Sequence, residues 1–213
     1  MSDYEIILDG RQLRTEGLAR HNLADIVIND VAPEHETLGR TLLARIVAGE
    51  LEGREIEDGA SISDGYWDPI LRKRDENLYE VFEWTPDRRV EAPGINTTAT
   101  YLLEQGEMCR TVGAAFVPPM PKQLIAASRG VLEGTRPLEG IRYQAPPHMS
   151  GWYLTTDEYD GNVDSLHVDH VYHITSARPE LTRLLALPPG YWFILHDGNE
   201  EIGFDADVAE EGL

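Results

Sequence analysis

The sequence predicts an α+β fold with mainly antiparallel sheets, a few packed helices and two subdomains. Three observations lead there. Segments that alternate like strands outnumber helical ones, and they do not take turns with helices as a parallel βαβ layout requires. One amphipathic helix stands out over residues 33–48. Finally, Val117-Pro-Pro-Met-Pro-Lys122 places three prolines in four residues. Such a run forbids helix and removes ladder donors, so a seam is expected there, between an N-terminal α+β region (1–122) and a C-terminal domain (123–213).

In the first region, Tyr4 to Leu8 reads as a strand running into the hairpin turn Asp9-Gly10, and Asp25 to Asn29 as a later strand. Pro33 opens the helix, whose apolar stripe is Leu38, Leu42, Leu43, Ile46 and Val47, and Gly49 is placed to close it. Trp67 to Arg72 and Leu78 to Trp84 flank the polar connection Lys73-Arg-Asp-Glu-Asn77, and Thr85-Pro-Asp87 stops the second of these strands. Thr97 or Thr98 is placed to cap a second helix running to about Val112. Beyond the seam, strands are expected at residues 123–127, 140–144, 151–155, 168–175, 191–196 and 201–204. A short helix should follow Pro179 and end at Pro188-Pro-Gly190.

Charge narrows the function classes. Among 213 residues, 38 acids oppose 18 bases, a net charge of −20 that repels nucleic acids and anionic membranes and favours a basic partner. The single cysteine, Cys109, excludes an intramolecular disulfide and a cysteine-based zinc cluster. The amino terminus has neither a basic start nor a long apolar run, and no stretch approaches the roughly 20 apolar residues of a membrane span, so a cytosolic protein is expected.

Three stretches of the second part, in order, carry a resemblance. They are Leu124-Ile-Ala-Ala-Ser-Arg-Gly-Val-Leu132, Ser150-Gly-Trp-Tyr-Leu154 with Asp157-Glu158, and Arg178-Pro-Glu-Leu-Thr-Arg-Leu-Leu185 running into Leu187-Pro-Pro-Gly-Tyr-Trp-Phe193. Over roughly residues 123–205 the chain resembles the bacterial immunity protein 33 family. The resemblance implies neutralisation of a co-encoded toxin by binding, without chemistry. Two departures accompany it. Gln144-Ala-Pro-Pro-His-Met149 holds no carboxylate where the family tends to carry an acidic loop, and histidines stand at 170 and 173 where apolar or neutral residues are expected. Residues 1–122 match no named family. The expected activity is therefore that of a non-enzymatic immunity protein, its partner a cognate, basic toxin such as a nuclease.

The candidate partner-binding residues are Asp157, Glu158, Asp160, Asp164 and Asp169, five carboxylates in thirteen residues that contain no Lys or Arg. Such density implies either free hydration or a cation-rich surface to meet. The alternative is a metal-dependent enzyme centred on His167, His170 and His173, since imidazoles and carboxylates suit first-row metals. A strand through residues 168–175 argues against it, because steps of three would alternate the faces of these histidines. Asp160-Gly-Asn-Val-Asp164 begins like a calcium loop but has Ser165 at the glycine position and Val171 where a bidentate glutamate is needed. Cys109 lies on the apolar face of its predicted helix and reads as core. With no nucleophile elbow, phosphate-binding glycine loop or zinc-protease motif, neither a cofactor nor a resident metal is expected. In the aromatic clusters Tyr66-Trp67, Trp152-Tyr153 and Tyr191-Trp192-Phe193, one member of each adjacent pair should enter the core.

Overall fold

The alternation at the amino terminus builds a hairpin: β1 (Glu5–Asp9) pairs antiparallel with β2 (Gln12–Glu16), and Gly10, at φ +60°, supplies the turn. In this computed structural model the described residues are 4–62 and 68–211. They fall into two units that divide between Thr100 and Tyr101.

In the N-terminal unit, β2 passes to β3 (Asp25–Ile28), and a 3-10 turn at Pro33–His35 leads into α1 (Glu36–Leu51). The predicted stripe is buried, with Leu42, Leu43, Ile46 and Val47 all in the core. Gly49 does not close the helix. It lies inside the last turn, where the Arg54 guanidinium would stand 3.0 Å from a Cβ, while Gly53, at φ +91°, takes the left-handed position beyond the end. Next come β4 (Ala60–Ser61), β5 (Ile70–Asp75), β6 (Leu78–Trp84) and β7 (Glu91–Pro93). The strands form one sheet in the order β1-β2-β3-β6-β5-β4 with β7 also on β6, antiparallel except for the β3–β6 pair. The expected strand start at Trp67 lies outside the described residues.

Helix α2 (Asn96–Thr111) carries the division between the units. Neither threonine caps it with its side chain. The buried Glu83 carboxylate on β6 accepts from the Thr97 and Thr98 amides at 2.9 and 2.8 Å, so a neighbouring strand supplies the acceptor.

The C-terminal unit has a second mixed sheet. Its strands are β8 (Leu124–Ala127), β9 (Leu138–Arg142), β10 (Met149–Thr156), β11 (His167–His170), β12 (Tyr191–His196) and β13 (Asn199–Phe204), in the order β11-β8-β10-β9-β12-β13. Only β8–β10 is parallel. Helix α3 (Val171–Ala177), a 3-10 run at Pro179–Leu184 and α4 (Ala206–Glu210) complete it. Both sheets and the four α-helices among the described residues bear out the α+β class.

The proline-rich seam is loop, as its composition demands, yet it lies within the C-terminal unit. The Val117 amide donates to Ala186 O at 2.9 Å, and Val117 O accepts from Arg142 at 2.7 Å. Prolines stop regular structure, but the groups they leave free can still be held by the unit they cross.

Candidate functional site

The acidic segment starts where β10 ends. Thr156 anchors that end, its hydroxyl donating to Arg129 O at 2.7 Å and its amide to Ser128 Oγ at 3.1 Å. Glu158 accepts from the Thr135 hydroxyl at 3.1 Å and faces the exposed Arg129 at 3.8 Å. Asp160 accepts from the Asn162 amide at 2.9 Å and from the Ser165 hydroxyl at 2.8 Å, and these bonds hold its carboxyl below the usual range. Asn162 in turn caps the 3-10 turn Val163–Ser165 by accepting from the Asp164 amide at 3.0 Å. Asp157 and Asp164 are exposed, and their carboxylates meet no hydrogen-bond or ion-pair partner among the described residues. The segment is folded by its own polar bonds, and two carboxylates are left facing solvent.

Asp169 belongs to a different cluster. The predicted strand over residues 168–175 breaks after His170: β11 pairs with β8 only as far as His170↔Leu124, and α3 begins at Val171. The Val171 and Tyr172 amides donate to Gln123 O and Pro121 O at 2.9 and 3.1 Å, which turns the chain. The face-alternation argument therefore fails for His170 and His173. The turn brings both to Asp169, and the ligand atoms of the three lie within 4.8 Å of one another. His173 Nδ1 bonds the Asp169 carboxylate, which also accepts from the His170 amide at 2.7 Å. Burial works against the charge on Asp169, but these bonds and the neighbouring imidazoles outweigh it and hold the carboxyl below its ordinary value. His167, exposed at the far end of β11, is not part of the group.

The second and third quoted stretches converge on one buried centre that the sequence does not announce. Arg142 donates to Ser150 O at 2.9 Å, Val117 O at 2.7 Å, Leu185 O at 3.2 Å and Leu187 O at 2.6 Å. Trp152, fully buried, donates its indole N–H to the same Leu185 carbonyl at 2.9 Å and packs on Phe193 at 5.3 Å. Burial without a facing carboxylate lowers the Arg142 pKa to about 10. Cys109, buried nearby, has its thiol pushed up by desolvation and partly offset by Arg142, in keeping with a core residue. The period of two along β9 was the available signal, since Leu138, Gly140 and Arg142 share its buried face. Gly140 is required there: the Phe193 ring lies 2.3 Å from where a Cβ would stand. The aromatic expectation holds at Trp152 and Phe193, whereas Tyr66 and Trp67 lie outside the described residues.

A further feature absent from the sequence reading is an open groove of about 740 Å³ in the C-terminal unit. Leu103, Met108 and Pro179 give it apolar surface, and Glu104, Glu107 and Arg183 are among its charged walls.

Residues 104–205 match the Imm33-like domain. The match supports the resemblance to the immunity protein 33 family over this part of the chain, and the matched segment begins close to the Thr100/Tyr101 division. No curated protein and no solved structure matches the chain.

Proposed function

We propose that this chain is a non-enzymatic immunity protein that binds and neutralises a cognate bacterial toxin, and that the toxin is basic, a nuclease being the reading that its charge favours. The observation that carries the proposal is the Imm33-like match over the unit that bears the acidic segment. The partner-facing surface is placed at Asp157, Glu158, Asp160 and Asp164, with Asp169 at its edge. Support comes from two sides. A net charge of −20 steers a basic protein toward the chain. Asp157 and Asp164 carry no internal partner among the described residues and are free to meet lysines or arginines. Carboxylates seated in a nuclease's phosphate-binding groove would imitate the charge of its substrate and block it without any bond being made or broken.

The test is co-expression with the toxin encoded beside it. The proposal expects restored growth and a stoichiometric complex whose association slows steeply with salt, since charges are screened over about 8 Å at physiological ionic strength. Absence of both complex and protection would refute the immunity reading. A salt-independent on-rate would refute the electrostatic part alone.

A further inference from the structure

We propose that Asp169, His170 and His173 form a binding site for one divalent transition-metal ion of the zinc class. The inference does not rest on the toxin-binding reading. Its basis is the strand-to-helix turn, which gathers one carboxylate and two imidazoles with their ligand atoms within 4.8 Å of one another. Around a tetrahedral ion with ligand bonds near 2.1 Å, donor atoms stand roughly 3.4 Å apart. Rotation of exposed or half-buried side chains closes that difference, and the backbone need not move.

The surroundings orient the donors. The His170 amide pins the Asp169 carboxylate at 2.7 Å. The His170 ring stacks on Tyr172 at 5.3 Å and meets His173 edge-on at 5.6 Å, while Tyr172 packs against His173 at 4.1 Å. These contacts hold the two rings beside one another, so a limited rotation brings their nitrogens onto one ion. Two nitrogen donors and one oxygen select zinc, cobalt or nickel over magnesium and calcium, which prefer oxygen alone. A chain of net charge −20 also concentrates cations at its surface. The plainer reading, a His173–Asp169 pair that merely staples the first turn of α3, requires neither His170 nor a metal.

The experiment uses the tag-free full chain, titrated with Zn²⁺ by calorimetry and with Co²⁺ by visible absorption. One ion per chain is expected. Binding should be lost in both His170→Ala and His173→Ala, weakened at least about tenfold in Asp169→Asn, and unchanged in His167→Ala. Excess Mg²⁺ should not displace the ion. A second measurement needs no variant: Zn²⁺ should protect His170 and His173, and not His167, from acylation by diethylpyrocarbonate, read by peptide mass spectrometry. Absence of binding, binding that survives both histidine substitutions, displacement by Mg²⁺, or equal acylation of all three histidines with and without Zn²⁺ would overturn the site. Toxin protection plays no part in these readouts, so the two proposals fail separately.

Discussion

The two units bury opposite charges. The N-terminal unit buries carboxylates: Glu83 on the amides that open α2, Glu80 between Asn29 and Arg74, and Glu50 near the end of α1. The C-terminal unit buries guanidiniums, Arg142 on four carbonyls and Arg178 on Val131 O at 2.5 Å with Glu180 at 2.8 Å. Glu83 and Arg142 follow the backbone groups on offer. The start of α2 presents N–H groups that suit an anion, and the turn closing the 3-10 run presents carbonyls that suit a cation, whereas Glu80 is held by the Asn29 and Arg74 side chains. The difference also shapes the surface. From Tyr101 onward the sequence holds 17 acids and 7 bases, and burying Arg142 and Arg178 removes two of those bases from view. The unit with the Imm33-like match is thus more acidic outside than its composition states.

The contrast breaks most visibly at Arg142. Arg142→Met should destabilise the C-terminal unit by about 3 kcal/mol or more, because the buried Ser150, Val117 and Leu187 carbonyls would lose this donor, while Leu185 O would keep the Trp152 indole. Urea unfolding followed through tryptophan fluorescence, to which the buried Trp152 contributes, checks this, and a loss below about 1 kcal/mol would show that the cage is dispensable.

Glu50 gives the next largest effect, with the opposite sign. Its side chain is 9 % exposed, one carboxylate oxygen has no hydrogen-bond partner among the described residues, and burial raises its pKa from 4.5 to about 7. The folded state then holds a proton between those values that the unfolded state has released. This contribution is fully present below pH 4.5 and is lost as pH rises through 7. At pH 8, Glu50→Gln should stabilise the N-terminal unit by about 2–3 kcal/mol, with the gain shrinking toward zero near pH 4.5. Chemical unfolding of both proteins across that range measures it; a gain independent of pH would mean that ionisation is not the cause.

A smaller effect sharpens the same comparison. Glu83→Ala leaves the Thr97 and Thr98 amides without their acceptor and should cost about 1–2 kcal/mol, the range of a lost helix cap. A thermal melt that leaves the start of α2 unaltered would indicate that water replaces the carboxylate.

Much of this architecture was legible in the residues. The stripe from Leu38 to Val47 became α1, and Tyr191 to His196 became β12 with the expected bounds. What escaped had tertiary causes. Val171, Ile174 and Thr175 favour strand by propensity, but their burial in α3 and the backbone bonds to Pro121 and Gln123 decide the matter. The metal-binding geometry was hidden for the same reason, since a strand would have separated His170 from His173. The cap of α2 comes from Glu83 on another element, which local spacing cannot report. Within the acidic segment, sequence density marked the place, yet only the fold separates Glu158, Asp160 and Asp169, which have internal partners, from Asp157 and Asp164.

That separation supplies the most direct test of the central claim, that the Imm33-like unit meets a basic toxin through this segment. The measurement is the association rate of the Asp157→Lys, Asp164→Lys double variant with the toxin, at low and physiological salt. The account predicts an unchanged melting temperature, since exposed carboxylates contribute little to stability, with association slowed at least about tenfold and its salt dependence flattened. A variant that associates at the unaltered rate and still protects the cell would contradict it.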